Sequence, residues 1–591
     1  MLNENHIKGL HSCVRLSDGT IASENEVVVE KSWDGNLLKT RVVNNSNKAL
    51  KIKEVVLFSG NMPLRPDTKF YGEGYQMLCQ YSGTLSSPQV IGAYGTDWDF
   101  FRIPKNAFNE NLWTVYNLLL LSPEDQAHTL LAFTSCNRFS GEFRFKDNYM
   151  EAVMDTEDLL LESGQSWELE EFTVLCGMDR NRLFSALAEG INRNHPPRVY
   201  PEIPSGWCSY YCMRRMTAEA LIENAYAMAQ RIPELKRIQI DGGYEAYNGD
   251  WLTARPSLGA DMNTICNGIR KMGVEPAGYI SPFIVETEST VFKEHPDWLV
   301  KDEQGNPYNE IGHNRKWYMM DGSHPEVQNY FRHIAKVMHD QWGIRYFKLD
   351  FLAYGALPGG CRYDKNVTRI EAFRMGIKAI VDEVGHDSFI LGCNAPFWPI
   401  LGLIHGNRVT NDILRDWKHV SGNARELFWR NWQNSTLWVN DPDCIVLEKL
   451  DLFGIRNGEV IERKSSLTDD EFEFHKAFIA ASGGMILSGD RLPHISEKNI
   501  GVLKKLLLAT GVAAAFDDTS FTVGRIHKED CMMLCVFNWE ESLRDIEISL
   551  NGCYQVFDFW TDEEMGTFTD KLDVRKMGPH SGRVLVCKPV Q

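Results

Sequence analysis

The chain has 591 residues, 43% hydrophobic and 24% charged, an ordinary balance for a soluble globular protein of two to four domains. Its 62 basic and 80 acidic side chains leave a net charge of −18, a surface that repels phosphate backbones and anionic lipid, so neither nucleic acid nor a membrane is an expected partner. The opening stretch MLNENHIKGLHSCVRL has no apolar signal core, and no run of roughly 18 apolar residues follows; the expected location is cytoplasmic.

Without an export signal, the fourteen Cys read as reduced thiols rather than a disulfide framework. Cys208/Cys212 and Cys531/Cys535 sit in apolar, strand-like runs, where buried thiols fit better than metal ligands. No H-E-x-x-H cluster or phosphate loop occurs, so neither a metal nor another cofactor is expected.

Residues 1–195 alternate apolar and polar positions over short runs: Lys39–Val43, Thr129–Phe133, Gly141–Phe145 and Trp167–Phe172. Asn44-Asn45 and Asp147-Asn148 punctuate them. This texture predicts a large antiparallel β domain, and Asn194-His-Pro-Pro197 makes its linker. Over 196–510 short apolar strands alternate with amphipathic helices. Eight strands are expected, at Gly206–Tyr211, Arg237–Asp241, Pro276–Ile280, Arg345–Asp350, Ser388–Cys393, Asn407–Thr410, Thr436–Asn440 and Gly484–Ser488. One intervening helix is marked by a Ser323/Glu326 capping box and an apolar face of Val327, Tyr330, Phe331, Ile334, Val337 and Met338. Eight such units predict a (β/α)8 barrel. Residues 511–591 return to strands, at Met532–Phe537, Asp545–Leu550, Tyr554–Trp560 and Arg583–Cys587, and predict a small β-sandwich.

In a barrel, a polar residue where a strand meets its following loop points into the active-site face. Asp241, Asp350, Asp412, Asp441 and Asp443 all lie at such ends. An Asp capping a loop is the plain alternative for any one of them, but five together, with Lys348 and Arg408, point to a site. Lys348 and Asp350 are two apart and share one strand face; a buried ammonium there keeps the carboxylate ionised, which suits a nucleophile. Arg408 lies in the sixth strand with Asp412 just beyond it, placed to protonate a leaving oxygen. Asp416 is a rival acid, at the position where the next helix should start and need a cap.

On these residues the chain resembles the α-galactosidases of glycoside hydrolase family 36. The similarity runs through Gly206-Trp-Cys-Ser, Ile240-Asp241 with Gly249-Asp-Trp251, His295-Pro-Asp-Trp298, Tyr346-Phe-Lys-Leu-Asp-Phe351, Ser388-Phe-Ile-Leu-Gly-Cys393, Arg408 with Asp412, and Trp438-Val-Asn-Asp-Pro-Asp-Cys444. It implies a barrel between two β-sandwiches and a retaining exo-glycosidase acting on an oligosaccharide or glycoside with terminal α-linked galactose or a similar sugar. Asp350 would be the nucleophile and Asp412 the acid/base. Lys348 and Arg408 would hold ring hydroxyls, Asp241 the C4/C6 side, and Trp251 would close the pocket, with Cys393 also in the substrate shell. Four positions depart from the family pattern: Gly242 replaces a second Asp, Tyr210 and Tyr279 replace Trp, and Asn394 replaces Gly. Gly242 is expected to leave empty volume. The altered shell keeps open a β-L-arabinopyranoside or α-N-acetylgalactosaminide substrate, or glycosyl transfer. A non-catalytic carbohydrate-binding protein is the alternative of another class, disfavoured because binding needs no nucleophile. Homo-oligomerisation is compatible with the sequence.

Overall fold

The computed structural model describes residues 4–78, 80–92, 112–213, 216–308, 317–456 and 459–590. Its centre is a ring of eight parallel strands: β1 (Ser205–Cys208), β2 (Arg237–Gln239), β3 (Glu275–Ile280), β4 (Tyr346–Leu349), β5 (Phe389–Gly392), β6 (Gly406–Arg408), β7 (Val439–Asp441) and β8 (Ile486–Ser488). Each lies within or overlaps one of the eight expected runs. They stand in chain order, with β1 pairing to both β2 and β8. The seam between β7 and β8 is bridged by the Met485 N–H donating to the Asn440 carbonyl at 2.9 Å and by Ile445 against Ser488. Gly484 stands at this seam because a side chain there would run into the Asn440 carbonyl oxygen.

Helices follow seven of the eight strands. The helix after β3, Pro325–Lys336, buries Val327, Phe331 and Ile334 as its apolar face requires, but its cap is not the expected Ser323. Pro325 fixes the first helical position, which shifts the cap to His324, whose ring accepts the Glu326 N–H; the Ser323 hydroxyl donates to Asp321 instead. The β5–β6 connection, residues 393–405, holds turns and no regular helix. It is apolar all the same: Phe397, Trp398, Ile400, Leu401 and Ile404 are buried. The N-terminal region covers it, with Trp398 Nε1 donating to the Phe133 carbonyl (2.7 Å) and the Phe397 N–H to the Tyr75 carbonyl (3.0 Å).

That N-terminal region is two antiparallel sheets of five and nine strands around a core that includes Leu57, Leu131, Phe133, Phe143 and Phe172. Three expected strands fall within Leu37–Asn44, His128–Phe133 and Ser140–Lys146. The fourth is split into Ser166–Glu168 and Phe172–Gly177. At the break Glu170 turns inward and accepts the N–H groups of Asn137, Arg138 and Phe139. Helix Arg180–Asn194 then leads into the Pro196-Pro197 linker. Two buried arginines tie this region to barrel helices: Arg430 to Glu73 at 2.5 Å, and Arg369 to Asp155 and Glu157 at 2.8 and 2.9 Å.

The C-terminal region is a six-stranded antiparallel sheet. Its strand Met532–Phe537 is buried on both faces. Met533, Cys535 and Phe537 join the barrel core, while Met532, Leu534 and Val536 join a second core with Ile546, Ile548 and Leu585. Two expected strands are one, Arg544–Asp558, bent at a register shift between Ser549 and Cys553. Its partner Glu564–Met577 was not foreseen, because an edge strand with charge on its outer face lacks an apolar signature. Among the described residues no helix is long and apolar enough to cross a membrane.

Three histidines are buried as neutral rings. His195 accepts the Cys136 N–H at 2.9 Å and His405 the Ile390 N–H at 3.1 Å, which requires an unprotonated ring nitrogen. Burial lowers His195 and His475 to about 3 and His405 to about 4, against about 6.5 in an unfolded chain. Above that value the rings are neutral in both states. Below it the unfolded chain binds protons that the fold refuses, so stability falls as pH drops from about 6.5 towards about 4. Denaturant unfolding at a series of pH values should show a loss approaching 1.4 kcal/mol per histidine per pH unit, roughly. A flat profile across that window would mean that the rings accept protons inside the fold.

Candidate active site

Tyr346 and Lys348 share the inward face of β4, and Asp350 follows at its end. Lys348 Nζ lies 2.9 Å from Asp241 Oδ2 and 3.6 Å from Asp350 Oδ2. Burial works against its charge, but Asp241 and Asp350 reverse that and hold the ammonium well above its usual pKa. Burial likewise pushes Asp241 up; Lys348, a Gln239 amide at 2.8 Å and the Gly242 N–H outweigh it and hold the carboxyl below the usual range. Asp350 Oδ1 accepts the Phe351 N–H (2.6 Å) and the Asn394 amide (3.1 Å). Phe351 and Asn394 both have positive φ, 49° and 46°. Asn tolerates that backbone and Phe does not, so strain is concentrated in the turn beside Asp350.

A second charged cluster spans β6 and β7. Arg408 Nη2 contacts Asp412 Oδ1 at 2.9 Å, Asp443 Oδ2 at 2.5 Å and the Tyr211 hydroxyl at 3.1 Å. The Asp412 side chain is 45% exposed and that of Asp443 2%. Asp416 accepts the His419 N–H and caps helix Trp417–Arg430, as its position in the sequence suggests.

The two clusters converge. The thiol of Cys393, at the end of β5, is raised first by burial and then by Asp350, and it also feels Lys348, Arg408 and Asp412. Tyr210 is 51% exposed, and its phenol is held neutral by Asp412, by burial, and by Asp241 and Asp350. Asp350, Asp412, Asp241, Lys348, Arg408, Cys393, Asn394 and Tyr210 therefore share one site. Tyr279 borders it, with Lys348 Nζ 5.5 Å from its ring centroid. Trp251 is different: it is wholly buried behind Tyr279, ring centroids 6.2 Å apart, and presents no face to a ligand. Gln239, Tyr211 and Asp443 belong to the site's supporting network and were not singled out as binding residues. Gln239 was legible in principle, since it is two residues from Asp241 on the same strand face. Among the described residues no group of three His, Cys, Asp or Glu is arranged to hold a metal ion.

The chain is similar to several known proteins. Residues 244–388 match the family model for melibiase. That stretch holds the third and fourth barrel strands. The curated α-galactosidase Mel36A of Lactobacillus acidophilus is 21% identical over 291 residues, 47% of this chain and 37% of that one. The bifunctional α-galactosidase/sucrose kinase AgaSK of Mediterraneibacter gnavus is 26% identical over 102 residues, 17% of this chain and 10% of its own. The matched stretches thus span well under half of the curated relatives' lengths. Among solved structures, the family 36 α-galactosidase AgaA of Geobacillus stearothermophilus superimposes with a TM-score of 0.67 at 12% identity, over 98% of this chain and 89% of its own. The fold is that of the family 36 α-galactosidases.

Gly242 does not leave the empty volume expected of it. A Cβ there would meet Tyr279 Cε1 at 2.9 Å and Cζ at 3.0 Å. The Tyr279 ring, fixed by a 2.8 Å hydrogen bond between its hydroxyl and Ser281, already fills that space. Gly242 and Tyr279 are therefore packed as one unit, a glycine making room for a ring. Gly242→Ala should cost roughly 1–3 kcal/mol, as overpacking does, and far less in a Tyr279→Ala background. A double-mutant cycle by denaturant unfolding checks this; additive losses would show that the glycine and the ring are independent.

Proposed function

We propose that the chain is a retaining glycoside hydrolase that removes terminal α-linked galactose or a galactose-like sugar. The observation that carries the reading is the pairing of a buried carboxylate, Asp350, held beside a buried ammonium, with a half-exposed carboxyl, Asp412, held on Arg408. Asp350 Oδ1 is engaged by two donors, so Oδ2 is the attacking oxygen. It forms a bond to the anomeric carbon as the glycosidic bond breaks, and the Asp412 proton passes to the leaving oxygen. Water then attacks that carbon, Asp412 takes its proton, and the glycosyl–aspartate bond breaks. This route needs the two carboxyls ~5–5.5 Å apart. Lys348, Arg408 and Asp241 hold the sugar hydroxyls. The relatives support the substrate class, since they are themselves α-galactosidases. The Tyr279 ring beside Gly242 favours, as a second reading, a sugar with no hydroxymethyl group, β-L-arabinopyranoside.

Asp350→Ala should abolish turnover, with azide restoring it and giving an inverted product. Asp412→Ala should slow unactivated glycosides far more than aryl glycosides, because only the former need a proton on the leaving oxygen. Azide rescue with a retained product would move the nucleophile elsewhere. A panel of p-nitrophenyl α-galactoside, α-N-acetylgalactosaminide and β-L-arabinopyranoside settles the sugar by its kcat/KM ranking.

A further inference from the structure

Asp443 has no part in the reaction as written above, yet its surroundings are specific. It follows β7 with φ at 72°, a left-handed backbone that Asp and Asn adopt more readily than other side chains. That conformation turns its carboxylate inward, where Oδ2 lies 2.5 Å from Arg408 Nη2 and accepts the Tyr211 hydroxyl at 2.5 Å and the Ile413 N–H at 2.6 Å. The Ile413 contact fastens Asp443 to the residue next to Asp412. Arg408 Nη2 has two hydrogens, while Asp412, Asp443, the Tyr211 hydroxyl and the Asn411 carbonyl all lie within hydrogen-bond reach of it. Asp412 and Asp443 therefore compete for one cationic nitrogen.

We propose that Asp443 is a positioning residue that governs, through the shared guanidinium of Arg408, how tightly Asp412 holds its proton. The proposal rests on reading Asp412 as the acid/base. When Asp443 is ionised, it draws on the Arg408 charge and adds a negative charge near Asp412, so Asp412 keeps its proton to higher pH and can still act as an acid. When Asp443 is neutral, the guanidinium falls to Asp412 and favours its ionised form. The groups facing Asp443 are Arg408 on β6, Asp412 in the loop after it, Asp441 on β7, Tyr211 after β1, and Cys444 next in the chain. Burial raises the Asp443 carboxyl, Asp412 and Asp441 add to this, and Arg408 and Tyr211 oppose it.

The test is the pH dependence of kcat/KM on an unactivated galactosyl disaccharide. Asp443→Asn keeps the shape and the backbone preference but removes the charge. It should move the basic limb to lower pH by roughly one unit, the effect of one charge within about 5 Å in a partly exposed site. Tyr211→Phe removes a donor that stabilises ionised Asp443 and frees Arg408, so it should move the limb the same way by less. It also carries the test if Asp443→Asn fails to fold. Asp412→Ala, run alongside, separates the two readings. If it leaves the basic limb standing, the acid/base assignment is wrong. If it removes the limb while Asp443→Asn lowers activity uniformly with the limb unmoved, Asp443 is only structural and the proposal falls.

Discussion

A buried ammonium organises this barrel. Lys348 sits in the interior of a fold whose inward positions favour branched apolar side chains, and an unpaired charge there would cost several kcal/mol. Asp241 and Asp350 offset that cost only in the geometry that brings both onto Nζ. Both carboxylates are held by further donors. Tyr346 donates to Gln239, Gln239 donates to Asp241, and on the far side Asn394 and the Phe351 N–H hold Asp350. One continuous chain of polar contacts thus runs across β2, β4 and β5. Removing Lys348, Asp241 or Asp350 leaves a buried charge short of a partner, and the strained turn at Phe351 is held by the same contacts.

The flanking sheets take part in the same constraint. Helix Trp417–Arg430 begins just after the Asp412 loop and ends on Arg430, whose guanidinium donates to the carbonyls of Met77 in the N-terminal region and of Val409, next to Arg408. Glu73 pairs with the same guanidinium, both side chains fully buried. Partway along that helix, Glu426 accepts the Asn411 N–H, and its carbonyl receives an amide from Gln80. Glu73, Met77 and Gln80 of the N-terminal region therefore clamp the segment that carries Arg408 and Asp412. They also cover the apolar β5–β6 loop that lacks a helix. The barrel and its N-terminal cover are one mechanical unit around the site.

The barrel was legible in the sequence because each strand is a short apolar run bounded by turns, and because the polar residues that interrupt the pattern fall at strand ends. Lys348 with Asp350 could be read from period two alone. What the sequence hid was set by contacts between distant segments. The capping box at Ser323 matched the local pattern, but Asp321 took the hydroxyl and Pro325 moved the helix start. Trp251 has the composition of a sugar platform, yet it packs beneath Tyr279. Asp443 was visible as a strand-end carboxylate, whereas its tie to Arg408 and Tyr211 joins three segments that only the closed barrel brings together.

The Gly242–Tyr279 exchange also has an electrostatic side. With glycine at 242, Lys348 is shared by two carboxylates, Asp241 and Asp350, and its third neighbour is the face of a neutral phenol ring. A second carboxylate beside Asp241 would add a third negative charge around one ammonium, and like charges at such distances favour protonation of one of the group. The aromatic wall avoids that competition and leaves Asp350 a larger share of the Lys348 charge. It also leaves a ring, with no second carboxylate, beside Asp241. In the proposed reaction the charges come from Asp350, Lys348, Arg408 and Asp412, while the surface beside Asp241 is a phenol ring. Under that proposal the site separates the chemistry from the choice of sugar, because the first rests on charges fixed by Lys348 and Arg408 and the second on a ring fixed by Ser281.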